Sequence, residues 1–85
     1  MSQTFTFDDL RTILVDRIGV PEDNIVNDPA ATFEDMGLDS LALVDVQLAV
    51  QQDYDFAIPD EDADGIGTVG DAIDYVNRRL AEKEA

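Results

Sequence analysis

Asp39-Ser40-Leu41-Ala42-Leu43-Val44-Asp45-Val46-Gln47-Leu48-Ala49-Val50-Gln51-Gln52-Asp53 is the stretch that decides how this chain folds. Residues 41–53 hold no glycine and no proline, and they read as one helix. At about 100° per residue, their apolar side chains fall into two stripes rather than one. Leu43, Val46 and Val50 share one side. Leu41, Val44 and Leu48 share the opposite side, beside Asp45 and Gln52. A helix in a small bundle needs only one buried stripe, so the other is open to a partner. The stripe interleaved with Asp45 and Gln52 is the better candidate for exposure. Burial of both stripes under the preceding loop is the alternative.

The flanking sequence supplies further helices. Thr6-Phe7-Asp8-Asp9 has an N-cap residue followed by acids in the first turn. Leu10, Ile13, Leu14 and Ile18 then recur at helical spacing, and Gly19 and Pro21 end the run. The spacing predicts a helix over residues 7–18. Residues 20–38, with Pro21, Asn24, Asn27, Pro29 and Gly37, form a long loop. Ile25, Val26, Phe33, Met36 and Leu38 are its candidate anchors. Phe56-Ala57-Ile58-Pro59 is extended, because proline disfavours helix at the residue before it. Asp60 to Asp64 form a short helix or turn. Thr68-Val69-Gly70-Asp71 repeats the capping pattern. Val69, Ile73, Val76 and Leu80 carry the last apolar stripe, and Arg78, Arg79 and Lys83 suit the negative end of its dipole. The reading is all-α: three main helices and one short third helix, in a single domain over residues 1–85.

The chain has 85 residues and a formal charge of −15, from 20 acidic and 5 basic side chains. Every cation lies near an end: Arg11, Arg17, Arg78, Arg79 and Lys83. The ends also carry Asp8, Asp9, Asp16, Glu82 and Glu84, so they are neutral overall. Residues 18–77 therefore hold the whole net charge. Phosphate backbones and anionic membrane surfaces repel such a chain. Basic partners are attracted to it. No apolar run approaches the ~20 residues of a membrane span. Met1-Ser2-Gln3-Thr4 shows no basic n-region of a signal peptide. Histidine and cysteine are absent, which excludes a Ser-His-Asp triad, a thiolate zinc site and a disulfide. The lack of cysteine fits a cytoplasmic protein. A core of this size gives no reason to expect a large cavity.

Two stretches remain as candidates for chemistry. Asp60-x-Asp62-x-Asp64-Gly65, closed by Asp71, approaches the calcium loop of an EF-hand. Against it stand Asp71 in place of a longer glutamate, Gly67 at an apolar position, and Pro59 where the entering helix ends. The second is Ser40. A serine nucleophile needs an activating base, and the only lysine is Lys83 in the tail. Asp39 or Ser40 serves as a helix cap in the plain structural reading. The same place suits a covalently attached phosphate, because a helix N-terminus stabilises an anion.

Gly37-Leu38-Asp39-Ser40-Leu41 resembles the attachment motif of acyl carrier proteins. Phe33-Glu34-Asp35-Met36 resembles that family's lead-in to the motif. Asp55 to Ala63, with Ile58-Pro59-Asp60-Glu61, is similar to its passage from the second helix into the third. Ile66, Thr68-Val69 and Ala72-Ile73-Asp74-Tyr75-Val76 are similar to its last helix. The resemblance covers nearly the whole chain.

The resemblance implies a four-helix bundle with a short third helix. It implies that a phosphopantetheinyl transferase moves 4′-phosphopantetheine from coenzyme A onto Ser40. The arm ends in a thiol that carries acyl groups as thioesters, so the protein is a carrier rather than an enzyme, with no metal site. Asp39, Leu41, Val44, Asp45 and Leu48 become its recognition face. Ketosynthase, acyltransferase and other synthase enzymes with basic patches become partners of a monomeric carrier. Asp39-Ser40-Leu41-Ala42-Leu43 and Phe7-Asp8-Asp9-Leu10-Arg11 resemble free-standing carriers of bacterial aromatic polyketide synthases, which make antibiotics. The tail half is closer to fatty-acid carriers, but those commonly have acids where this chain has Ala42, Gln51 and Gln52. Polyketide biosynthesis is the favoured expectation and fatty-acid biosynthesis the alternative. A start at Met1 without a linker suits a discrete carrier.

Overall fold

A computed structural model describes residues 4–84. The Met1–Gln3 part of the expected non-signal N-terminus lies outside the described residues. Helix α1 (Phe7–Thr12) starts at a capping box. The Thr6 N–H donates to the Asp9 carboxylate at 3.0 Å, and the Asp9 N–H donates to the Thr6 hydroxyl at 3.3 Å. The chain then continues as a π-helix over Ile13–Ile18 rather than as the expected α-helix. The Gly19 N–H reaches back five residues to the Leu14 carbonyl. Apolar spacing selects the inward side chains, but not which carbonyl each N–H takes. Gly19 ends the run at φ 90°, a left-handed conformation that glycine adopts without strain.

The long loop is anchored as expected at Phe33, Met36 and Leu38, all buried. Ile25 is half-buried. Val26 instead is exposed, at 39%. The loop also holds two 3-10 turns, Glu22–Asn24 and Glu34–Met36.

Helix α2 (Ser40–Tyr54) follows, then an extended Phe56–Pro59 and the short α3 (Asp60–Asp64). Helix α4 (Val69–Glu84) completes the bundle. Its start is tied down three times. The Asp71 N–H donates to the Thr68 hydroxyl at 3.1 Å. The Val69 and Gly70 N–H groups donate to the carbonyls of Ala31 at 2.9 Å and Pro29 at 3.0 Å. A Cβ at Gly70 would meet Pro29 backbone and side chain at 3.0 Å, so a larger residue would have to push the loop back by a few tenths of an ångström. These bonds fasten the loop to α4, and the loop delivers the chain to Ser40.

The core is built from Phe5, Leu10, Leu14, Met36, Val69 and Leu80, all essentially fully buried. Val46, Ala49 and Val50 of α2 join it. Among the described residues no helix is long and apolar enough to cross a membrane.

Candidate functional site

Three buried anchors, Phe33, Met36 and Leu38, fix the segment before Ser40. Gly37 turns between them at φ 84°, again left-handed. The Leu38 N–H donates to the Phe33 carbonyl at 3.1 Å. Asp39 is the N-cap of α2: its carboxylate accepts the Ala42 N–H at 2.9 Å. Of the two candidate caps, Asp39 takes the role. The Ser40 hydroxyl is left in solvent as the first residue of the helix. The first-turn N–H groups and the helix dipole favour negative charge at that point.

The two stripes of α2 separate as the interleaved polar residues foretell. Val46 and Val50 are 9% and 4% exposed, and Leu43 is half-buried. Leu41, Val44 and Leu48 are 77%, 49% and 46% exposed. Asp45 stands among them in solvent. The ion pairs among the described residues join Arg11, Arg17, Arg79 and Lys83 to other acids and leave Asp45 out. Gln52 is different: its side chain accepts from the Arg17 guanidinium at 2.9 Å, and the same arginine holds Asp53 at 2.8 Å. The far end of α2 is thus fastened to the π-helix. The end nearest Ser40 presents an open face of apolar side chains around a carboxylate.

Behind that face lies a cavity of about 300 Å³, with Ser40 at its edge. The small core gave no reason to expect it. Its walls are mostly apolar. Leu43, Val46 and Val50 contribute from α2, Ile58, Ala63 and Ile66 from around α3, and Ala72 and Val76 from α4. Phe5, Leu10 and Phe33 close the far side. Polar groups enter at three points: Gln47, Asp64 and Tyr75. The sequence reading weighed Asp64 only as a calcium ligand and gave Gln47 and Tyr75 no role at the site. The signal for Tyr75 was its place one residue before Val76 and three after Ala72 on the inner side of α4.

The calcium reading does not survive this geometry. Asp60, Asp62 and Asp64 lie on helix α3, not on a loop. Helical winding sets Asp60 and Asp64 one turn apart on one face and turns Asp62 to the opposite side. Asp62 accepts the Tyr75 hydroxyl at 2.7 Å, and Gln47 reaches Asp60 at 3.4 Å. Asp71 belongs to the capped first turn of α4. Among the described residues no three acidic side chains converge as a cation requires.

An exposed serine at a helix start, beside an apolar cavity, can bear an anionic linker and shelter what it carries. The family model described as "Phosphopantetheine attachment site" matches residues 8–76. Three solved structures of an acyl carrier protein from the actinorhodin polyketide synthase of Streptomyces coelicolor are similar throughout. They are its butyryl, 3,5-dioxohexyl and hexanoyl forms, at 34%, 36% and 35% identity. Each alignment covers 96% of this chain and 98% of that one, with TM-scores of 0.79, 0.80 and 0.78. With its helix order, its attachment motif and these matches in agreement, the chain belongs to the acyl carrier proteins, a family defined by covalently attached 4′-phosphopantetheine.

Proposed function

We propose that Ser40 is the attachment residue and that the protein carries polyketide intermediates between the enzymes of a synthase. The observation that carries this reading is the place of Ser40: its hydroxyl is in solvent, at the start of α2, on the edge of the apolar cavity. In the transfer, the Ser40 hydroxyl loses its proton and forms a new P–O ester bond as the adenosine bisphosphate half of coenzyme A leaves. No histidine exists in this chain to take that proton, so the base belongs to the phosphopantetheinyl transferase. The protein is then a substrate of that enzyme and a carrier, not a catalyst. Once attached, the arm supplies a terminal thiol for acyl groups, in a chain with no cysteine of its own.

Asp39, Leu41, Val44, Asp45 and Leu48 form the docking face. Its open carboxylates steer basic patches on the transferase, a ketosynthase and an acyltransferase, and the apolar stripe gives a small contact that releases quickly. The cavity offers an attached chain a refuge from water. Service in polyketide synthesis, rather than fatty-acid synthesis, is supported by the 34–36% identity to the actinorhodin carrier and by uncharged Ala42, Gln51 and Gln52. A monomer in the cytoplasm suits such traffic.

The test is intact mass after incubation with coenzyme A and a broad-specificity phosphopantetheinyl transferase. The wild type gains one arm and Ser40→Ala gains none. No gain on the wild type, or an equal gain on Ser40→Ala, removes the proposal.

A further inference from the structure

Helix α3 is the weakest wall of the cavity by its own resources. It is five residues long, has no side-chain cap and contributes no fully buried residue. A helix this short does not hold itself together in water. Besides the partly buried Ala63 and Ile66, what holds it is polar. On one side the Gln47 amide donates to the Ile58 carbonyl at 2.8 Å, and the Ile58 N–H donates to Gln51 at 2.7 Å. On the other side stands a cluster that the docking face does not use. The Tyr75 hydroxyl donates to the Asp62 carboxylate at 2.7 Å and accepts from the Arg79 guanidinium at 2.7 Å. Arg79 also lies 3.9 Å from Asp62, and its guanidinium covers the Phe56 ring at 5.2 Å from the centroid. Phe56 belongs to the strand-like segment that feeds α3, so the clasp grips both the helix and its approach.

We infer that Tyr75 is a positioning residue that latches α3 over the cavity, so that release of its hydrogen bond to Asp62 opens the wall beneath which a carried chain lies. Tyr75 suits the task because it does two things at once. Its ring is only 6% exposed and lines the cavity, while its hydroxyl reaches out to the clasp. Burial, and then the bond to Asp62, raises its pKa above the ordinary tyrosine value. The hydroxyl therefore stays protonated and able to donate. A wall held by a few polar bonds and by two partly buried side chains, Ala63 and Ile66, can swing while Leu80, Val76, Val69 and Ile58 stay packed. Local opening of this kind needs far less free energy than unfolding.

The inference rests on the carrier reading only for the identity of the occupant. Hydrogen exchange on the unmodified full chain tests the latch itself. The reporters are the amides of Asp62, Ala63, Gly65 and Ile66, which close the turns of α3. Tyr75→Phe keeps the ring and removes the hydroxyl. It is expected to speed exchange at these amides about tenfold, the weight of one hydrogen bond to a charged acceptor, and to leave the amides of α2 and the middle of α4 unchanged. In an Asp62→Ala background the same substitution is expected to add nothing. Unchanged α3 exchange, equal acceleration throughout the molecule, or an undiminished effect in the Asp62→Ala background overturns the latch. A second readout uses protein loaded with hexanoyl or acetyl groups. Hydroxylamine is expected to cleave the hexanoyl form of Tyr75→Phe several-fold faster than that of the wild type, and the acetyl forms equally, because acetyl is too short to lie under α3. Equal cleavage of the hexanoyl forms overturns the link to the cargo. Failure to load Ser40 at all counts against the carrier reading, and the exchange measurement still decides the latch.

Discussion

Helices α2 and α4 are nearly equal in length, fifteen and sixteen residues, but they place their apolar side chains differently. In α4 the large apolar residues gather on one side. Val69, Val76 and Leu80 are buried, Ile73 is half-buried, and acids and cations fill the other face. In α2 the apolar residues divide. Val46, Ala49 and Val50 enter the core, while Leu41, Val44 and Leu48 face water. Leu41 leaves unused most, and Val44 and Leu48 about half, of the ~1.5–3 kcal/mol that full burial of a side chain contributes. Helix α4 thus stabilises the bundle with its whole apolar stripe, and α2 gives up part of that stabilisation by leaving three apolar side chains exposed. The cations follow the same division. Arg79 and Lys83 of α4 are engaged with Asp62, Glu82 and Asp55, whereas the Ser40 end of α2 keeps its negative charge unneutralised.

The largest effect expected from this contrast is on stability. Leu80→Ala should cost about 2–4 kcal/mol in denaturant unfolding, as for other buried leucines. Leu48→Ala should stay within about 0.5 kcal/mol. If the two cost the same, the outer stripe of α2 is buried in solution and the contrast fails. Next comes function. Asp45→Lys and Leu48→Glu should each slow arm transfer to Ser40 about tenfold with unchanged helicity, and added salt should slow the wild type toward the Asp45→Lys rate. Normal transfer by both variants would place docking elsewhere. The smallest effect concerns how each helix begins. Asp39→Ala removes the side-chain cap of α2 and should cost ~1 kcal/mol, or ~4–8 °C in thermal midpoint. Thr68→Ala should cost less, because the carbonyls of Pro29 and Ala31 still hold the first N–H groups of α4. A larger loss for Thr68→Ala would show that those loop bonds depend on the cap.

Much of this was legible in the residues. Thr6 with Asp9, Asp39, and Thr68 with Asp71 marked the helix starts, because capping is local chemistry within one turn. Gly19 marked a stop for the same reason, whereas the left-handed cap that ends α2, Asp55 at φ 56°, carried no such mark. The place of Ser40 at the start of α2 was legible too, from the cap before it. The features that escaped depend on partners distant in sequence. Val26 matched the pattern of a loop anchor, but it stands 39% exposed. The acids of α3 matched a calcium loop by spacing, until the helix turned Asp62 away from Asp60 and Asp64 and Tyr75, thirteen residues on, took it.

By itself the sequence determined where helices begin and end, which residues of α2 form each stripe, and that the negative charge lies between neutral ends. These are consequences of periodicity, capping and composition, all written along one short stretch of chain. Only the tertiary structure decided that the Leu41–Val44–Leu48 stripe faces water, that residues 13–18 wind as a π-helix, and that about 300 Å³ stays open beside Ser40 under a wall clasped by Tyr75. A cavity is what remains when all the helices have packed, and burial is set by whatever stands opposite. Neither is a property of any single segment.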